Sequence, residues 1–188
     1  MKLSLIIVTY NSYKYIQKCI QSILDSIEAF DDYEIIIIDN NSKDGTINII
    51  NNFSNSKIKI LKNSDNIGYS AAVNKAIEVT SFEKVLLLNP DTIILENGIV
   101  ELFERLNRSD VGIVGAKLLN LDGTLQVSSR RHFPTLGILF SYILRLNKIF
   151  NKSRFFGKYN YTHLDENLEI SVDSVSGACM MFSKNLFD

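Results

Sequence analysis

Apolar residues along the first 119 positions follow two alternating rhythms. Residues 3–8 form a short isoleucine-rich run that stops at Thr9-Tyr10-Asn11, the pattern of a buried strand closed by turn residues. The period then lengthens. Ile16, Ile20, Ile23, Leu24 and Ile27 recur at spacings of three and four, one face of a helix. Asn11 or Ser12 would cap that helix through a side-chain oxygen. A second strand, 34–38, ends at Asp39-Asn40-Asn41-Ser42, and Lys43-Asp44-Gly45-Thr46 opens a helical pattern carrying Ile47, Ile50 and Phe53. Residues 58–61 and 85–88 predict two more strands, 71–79 and 97–106 two more helices, and 111–119 a last strand-like run. Strands alternating with helices at this spacing require crossover connections, hence an α/β fold with a mostly parallel central sheet covered by helices on both faces.

Composition narrows the class. A chain of 188 residues, 46% hydrophobic and 22% charged, has the make-up of one globular domain. A formal net charge of −1 argues against a nucleic-acid partner. Two distant cysteines, Cys19 and Cys179, build neither a disulfide framework nor a cysteine-rich zinc site. No apolar run is long enough to cross a bilayer, and the apolar start is too short for a signal-peptide core.

The texture changes after Asp122-Gly123. Residues 123–164 hold seven basic side chains and no acidic one: Arg130, Arg131, Arg145, Lys148, Lys152, Arg154 and Lys158. Such asymmetry points to an anionic partner for one face. Within it, 136–150 is predominantly apolar, either a helix packed on the core or one lying on an anionic membrane, and the basic amphipathic stretch 130–158 is the expected peripheral contact. Residues 169–182 return to strand-like character around Ser176-Gly177-Ala178. The expected division is 1–119 as the ligand-binding half and 120–188 as an incomplete segment of the same domain that includes the basic amphipathic stretch 130–158.

Ligands of an open parallel sheet bind beyond the carboxyl ends of its strands. Three such ends are polar here: Thr9-Tyr10-Asn11, Asp39-Asn40-Asn41-Ser42 and Asn89-Pro90-Asp91. No G-x-G-x-x-G follows the first strand, and neither a P-loop nor a serine nucleophile elbow occurs. His132 and His163, the only histidines, lie in the basic segment and read as packing or surface residues. Carboxylates and amides remain, which suit a nucleobase, a ribose and a hard cation shared with phosphate oxygens.

Four motifs in order, Ser4-Leu5-Ile6-Ile7-Val8-Thr9-Tyr10-Asn11, Ile38-Asp39-Asn40-Asn41-Ser42-Lys43-Asp44-Gly45-Thr46, Asn66-Ile67-Gly68-Tyr69-Ser70-Ala71-Ala72-Val73-Asn74 and Leu87-Leu88-Asn89-Pro90-Asp91, resemble those of family 2 glycosyltransferases. Asp122-Gly123-Thr124, Arg130-Arg131-His132-Phe133-Pro134 and Val175-Ser176-Gly177-Ala178-Cys179 resemble the rhamnosyltransferase-like branch. The resemblance implies a GT-A fold and inverting transfer from a nucleotide-diphosphate sugar to a saccharide or lipid-linked saccharide in cell-surface polysaccharide synthesis. The implied location is cytoplasmic, with a lipid-linked acceptor placing the protein at the inner membrane face. By matching position, Thr9, Tyr10 and Asn11 would line the nucleotide pocket. Asp39 would accept a hydrogen bond from the base, and Asn41 or Ser42 would sit near the ribose. Asn66, Gly68, Asn74 and Asn89 would lie near the donor. Asp91 would reach a Mg²⁺ or Mn²⁺ ion on the diphosphate, and Gly177 and Ala178 would border the sugar and acceptor. Asn89 stands where many members carry a second metal-binding carboxylate.

The family's general base lies in a Glu-Asp pair after the Gly-Ala motif. No such pair occurs in the sequence, so the base is expected beyond Asp188 and this chain is expected to transfer sugar slowly or not at all. The alternatives are a non-catalytic binding module and a nucleotidyltransferase, although the loop after the first strand is neither glycine-rich nor basic.

Overall fold

The computed structural model describes residues 1–145, 149–150 and 153–187; Lys148 and Lys152 of the basic segment, and Asp188, lie outside the described residues. The chain forms two compact units, 1–114 with 177–188, and 115–176.

The first unit contains β1 (Lys2–Thr9), α1 (Ile16–Ser26), β2 (Asp32–Asp39), α2 (Thr46–Asn51), β3 (Ile58–Lys62), α3 (Tyr69–Glu78), β4 (Lys84–Leu88) and α4 (Gly98–Leu106). Strand β5 (Ile113–Gly115) runs to its boundary. The predicted elements are present, each within a few residues of its expected limits. Two runs are exceptions: of 111–119 only three residues are a strand, and of 169–182 only 174–175 and 179–182 are. At Gly115 the backbone lies against the Val175 side chain, where an added Cβ would fall 2.7 Å from it.

β1 pairs in parallel with β2 and with β4, and β2 with β3. Residues 120–188 do not stay together as one segment. In the second unit, β6 (Arg130–Arg131) pairs antiparallel with β7 (Ser174–Val175). The chain then returns, and β8 (Cys179–Ser183) joins the first sheet antiparallel to β4. The sheet order is β3-β2-β1-β4-β8-β5, mostly parallel with an antiparallel insertion.

One sheet face buries Ile6, Val8, Ile36, Ile38, Val85, Leu87 and Phe182 against Ala72, Val73 and Ala76 of α3. The alternate residues Leu5, Ile7, Ile35, Ile37, Leu86 and Leu88 are buried as well. Burial on both faces is why these strands read as continuous apolar runs rather than alternating ones. Each fully buried isoleucine contributes about 1.5–3 kcal/mol of transfer free energy.

Glu34 is a buried exception on β2. Its carboxylate accepts from the Ser4 hydroxyl (2.6 Å), the Lys59 ammonium (2.6 Å), and the Ser81 amide and hydroxyl. Ser4 in turn accepts the Phe82 amide at 3.2 Å, so β1, β2, β3 and the lead into β4 are tied together away from the strands' carboxyl ends. Burial acts to raise the Glu34 pKa; Lys59, Ser4 and Ser81 outweigh it, and the group sits below its ordinary value. A depressed folded-state pKa gives stability that is present above the unfolded glutamate value, about 4.3, and is lost as pH falls through the folded value. Urea unfolding at neutral pH should therefore show Glu34→Gln destabilised by roughly 2 kcal/mol. That gap should shrink below about pH 4; a gap independent of pH would contradict the assignment. Burial also pushes the Cys19 and Cys179 thiols up to about 12. Neither should react with iodoacetamide at neutral pH in native protein, and both should react once it is unfolded.

Candidate functional site

Parallel pairing sets Thr9 directly beside Asp39, and Ile7 beside Leu88 one residue before Asn89. The three polar strand ends therefore share one edge of the sheet, as the alternation of elements required. At that edge lies a cleft of about 530 Å³. Six of the expected residues line it: Tyr10, Asn11, Asn66, Gly68, Asn89 and Asp91.

The loops around the cleft are braced by side-chain amides and short carboxylates. Asn11 takes a left-handed backbone, φ 51°. Its N–H donates to the Ser42 hydroxyl (2.9 Å), and its Oδ1 accepts the Lys43 amide (2.8 Å). Asn41, φ 65°, donates to the Ser64 carbonyl at 2.7 Å. Asparagine tolerates this conformation better than other side chains. Asp44 accepts the Tyr13 amide (2.9 Å) and both the amide and hydroxyl of Thr46. Burial tends to raise the Asp44 pKa, but these hydrogen bonds prevail and hold it low.

These bonds overturn the expected helix cap. The residue preceding α1 is Tyr15, and no side chain among the described residues caps the helix. The Ser12 carbonyl accepts the Tyr15 and Ile16 amides instead, while the Ser12 N–H binds Thr46 Oγ1. Asn11 and Ser12 are thus spent on joining the β1–α1 and β2–α2 loops.

Asp39 is 2% exposed and does not line the cleft. Its carboxylate accepts both the amide and the hydroxyl of Ser42, closing its own turn. A carboxylate has about four acceptor positions, so these two bonds leave it able to accept another. Thr9, Asn41, Ser42, Asn74, Gly177 and Ala178 also fall outside the lining. Thr9 is fully buried, and its hydroxyl has no hydrogen-bond partner among the described residues.

Asn89-Pro90-Asp91-Thr92 is a turn closed by the Thr92 amide on the Asn89 carbonyl (3.2 Å), with proline at its second position. The Asn89 amide donates to the Ala178 carbonyl at 2.9 Å, so the Gly177-Ala178 segment leading into β8 is held against this turn. The turn leaves Asp91 exposed at the cleft. Across from it, Gly68 (φ 82°) opens α3, and the Tyr69 hydroxyl donates to the Gly177 carbonyl at 3.3 Å. Burial raises the Tyr69 pKa.

Val8, Ser12, Tyr15, Asn40, Tyr69 and Pro90 line the cleft without having been singled out as site residues. Asn40 is buried yet reaches the cleft, donating to the Gly68 carbonyl (3.3 Å) and accepting from Asn63 (2.8 Å), which in turn accepts from Lys75 (2.6 Å). Tyr10, Tyr15 and Tyr69 together give the wall an aromatic, hydroxyl-bearing character, a signal present in the sequence only as tyrosines scattered over one loop and a helix start.

Oxygen donors suited to a hard cation are present in Asp91 and the neighbouring amide oxygen of Asn89. Among the described residues, no group of three His, Cys, Asp or Glu side chains could hold a metal alone. The donor set therefore fits an ion completed by ligand oxygens rather than a protein-only cage.

In the second unit, His132 Nδ1 lies 3.0 Å from Asp173 Oδ2 and 3.0 Å from the Phe133 carbonyl, and the ring stacks on Tyr161. Asp173 also accepts the Phe133 amide (2.9 Å). His132 and Asp173 hold that unit's short strands, as a packing role for the histidine predicts.

The sequence model of Glycosyl transferase family 2 matches residues 4–188. The poly(ribitol-phosphate) beta-glucosyltransferase of Bacillus spizizenii is 27% identical over 149 residues, covering 77% of this chain and 24% of that protein. The GalNAc(5)-diNAcBac-PP-undecaprenol beta-1,3-glucosyltransferase of Campylobacter jejuni is 30% identical over 127 residues, 66% of this chain and 40% of that one. The chain thus spans well under half the length of the curated relatives it matches. The crystal structure of S. aureus TarS 1-349 in complex with UDP-GlcNAc superposes with a TM-score of 0.59 at 24% identity, covering 73% of this chain and 38% of that chain. The mostly parallel sheet is that of the GT-A fold.

Ser42→Ala would remove both the donor to Asp39 and the acceptor for the Asn11 amide. A loss of about 1–2 kcal/mol in chemical denaturation is expected; an unchanged midpoint would mean that these loops are not braced through Ser42.

Proposed function

The chain belongs to glycosyl transferase family 2, and from that premise we propose that its cleft binds a nucleotide-diphosphate sugar for inverting transfer to an acceptor hydroxyl. Relatives named for poly(ribitol-phosphate) and for an undecaprenol-linked saccharide support a saccharide or lipid-linked saccharide acceptor in cell-surface polysaccharide synthesis, and a rhamnosyltransferase-like donor is the reading of the 122–134 and 175–179 motifs. The observation that carries the proposal is Asp91: one exposed carboxylate, set by a proline turn at the edge where three parallel strands end.

In this reading Tyr10 and Asn11 flank the nucleotide, and Asp39 keeps its two Ser42 bonds while accepting a third from the base. Asn41 and Ser42 stand near the ribose, and the buried Thr9 hydroxyl acts from behind the strand end. Asn66, Gly68, Asn74 and Asn89 border the donor, with Gly177 and Ala178 toward sugar and acceptor. Asp91 and the Asn89 amide oxygen hold a Mg²⁺ or Mn²⁺ ion together with the donor's phosphate oxygens. Bound there, the ion offsets the charge that grows on the leaving diphosphate. Tyr69, by holding the Gly177 carbonyl, keeps the sugar-side wall in place. No residue of this chain is assigned as the base that takes the acceptor's proton. Asp173, a nearby carboxylate in sequence, is engaged with His132 and Phe133.

Calorimetric titration with uridine and thymidine diphosphates, with and without Mn²⁺, tests the proposal. Binding should tighten about tenfold or more with the metal, and Asp91→Ala should abolish that gain with the fold intact. Equal affinity in chelator, or the same metal response in Asp91→Ala, overturns the role of Asp91. No binding of either nucleotide favours an inert module.

A further inference from the structure

The outward side of the helix in the second unit is apolar where a helix of a water-exposed domain should be polar. This helix, α5 (Leu136–Ile143), places Leu136, Phe140 and Ile143 at spacings of four and three, along one stripe. They are 87%, 64% and 75% exposed. Ile138, half a turn round, is buried, so the helix is docked by the opposite side. Phe133 before the helix and Leu144 after it are exposed as well. Arg145, Arg154 and Lys158 are exposed in the same unit, and residues 123–164 contain no acidic side chain.

We propose that the α5 stripe, with the exposed arginines and lysine of the same unit, forms a membrane-contact surface that lies on an anionic phospholipid bilayer. An eight-residue helix is about 12 Å long, enough to lie in the headgroup boundary and far short of a span. Among the described residues, no helix is long and apolar enough to cross a membrane. Charge selects the occupant. A second copy of the same surface would bring the exposed Arg145, Arg154 and Lys158 against their own copies, and residues 123–164 supply no acid to offset them. A soluble polyanion would satisfy the basic residues and leave the leucine, phenylalanine and isoleucine in water. An anionic bilayer answers both features, with headgroup charge for the arginines and lysines and the acyl boundary for the stripe.

The surface is independent of the nucleotide cleft, and so is its test. The full chain, without nucleotide or metal, is co-sedimented with vesicles of phosphatidylcholine alone and with vesicles that also contain phosphatidylglycerol, at low and high salt. Partition should be at least about tenfold stronger on the anionic vesicles and fall steeply with salt. The triple substitution Leu136→Ser, Phe140→Ser, Ile143→Ser should lower it by about tenfold or more. Arg145→Glu with Arg154→Glu should remove most of the preference for anionic lipid, each exposed basic group being worth about fivefold. Circular dichroism checks that each variant folds, and Asp91→Ala should bind vesicles like the unaltered chain. Absence of vesicle binding overturns the proposal, as does binding that ignores the triple substitution. Light scattering that finds a dimer dissolved by the triple substitution, without vesicle binding, would make the stripe a self-association face and overturn it. Binding to soluble polyphosphate but not to vesicles would overturn it in favour of a polyanion site.

Discussion

The parallel register of β1, β2 and β4 is the constraint on which the rest of the structure depends. Parallel strands start at one edge of a sheet and finish at the other, so every strand-to-helix loop of this half emerges on the same side. Thr9 then neighbours Asp39, and Asn89 follows a residue paired with Ile7. Residues eighty positions apart in the chain meet at one cleft without any side chain having to reach far. The register itself is held by apolar strands buried on both faces and, toward the other edge, by Glu34 with its ring of donors.

The cleft is built more by hydrogen-bonded loops than by free functional groups. Asn11, Asn40 and Asn41 each serve as a staple between segments, and Asp39 and Asp44 close the turns that carry them. A wall made this way is preformed, because its polar groups are already oriented before any ligand arrives. Asp91 is different in kind. Among the described residues, no brace stands beside it as Ser42 does beside Asp39, and the proline turn leaves it at the surface of the cleft. Within one polar edge, then, some carboxylates organise the scaffold and one faces the ligand space.

Strands and amphipathic helices were legible because burial imposes a period: runs of isoleucine for a sheet covered twice, threes and fours for a helix docked on one side. Loop chemistry was less legible. Asn11 and Ser12 look like helix caps by residue type, yet the cap position fell to Tyr15 because their bonding groups meet partners from the β2–α2 loop, thirty residues on. Tyr15 and Tyr69 reach the cleft through the path of the backbone after Thr9 and at Gly68, which no periodicity reports. The return of 179–183 to lie antiparallel to β4 was equally silent in the pattern, since a five-residue apolar run pairs as well with one neighbour as with another.

By itself the sequence determined the class of fold, the edge at which a ligand must bind, and the presence of three polar strand ends there, because hydrophobic period and strand direction are local properties of the chain. Tertiary structure alone decided which of those polar groups are free. Whether a carboxylate meets a neighbour's hydroxyl, as Asp39 does, or stands open, as Asp91 does, depends on what distant loops bring beside it.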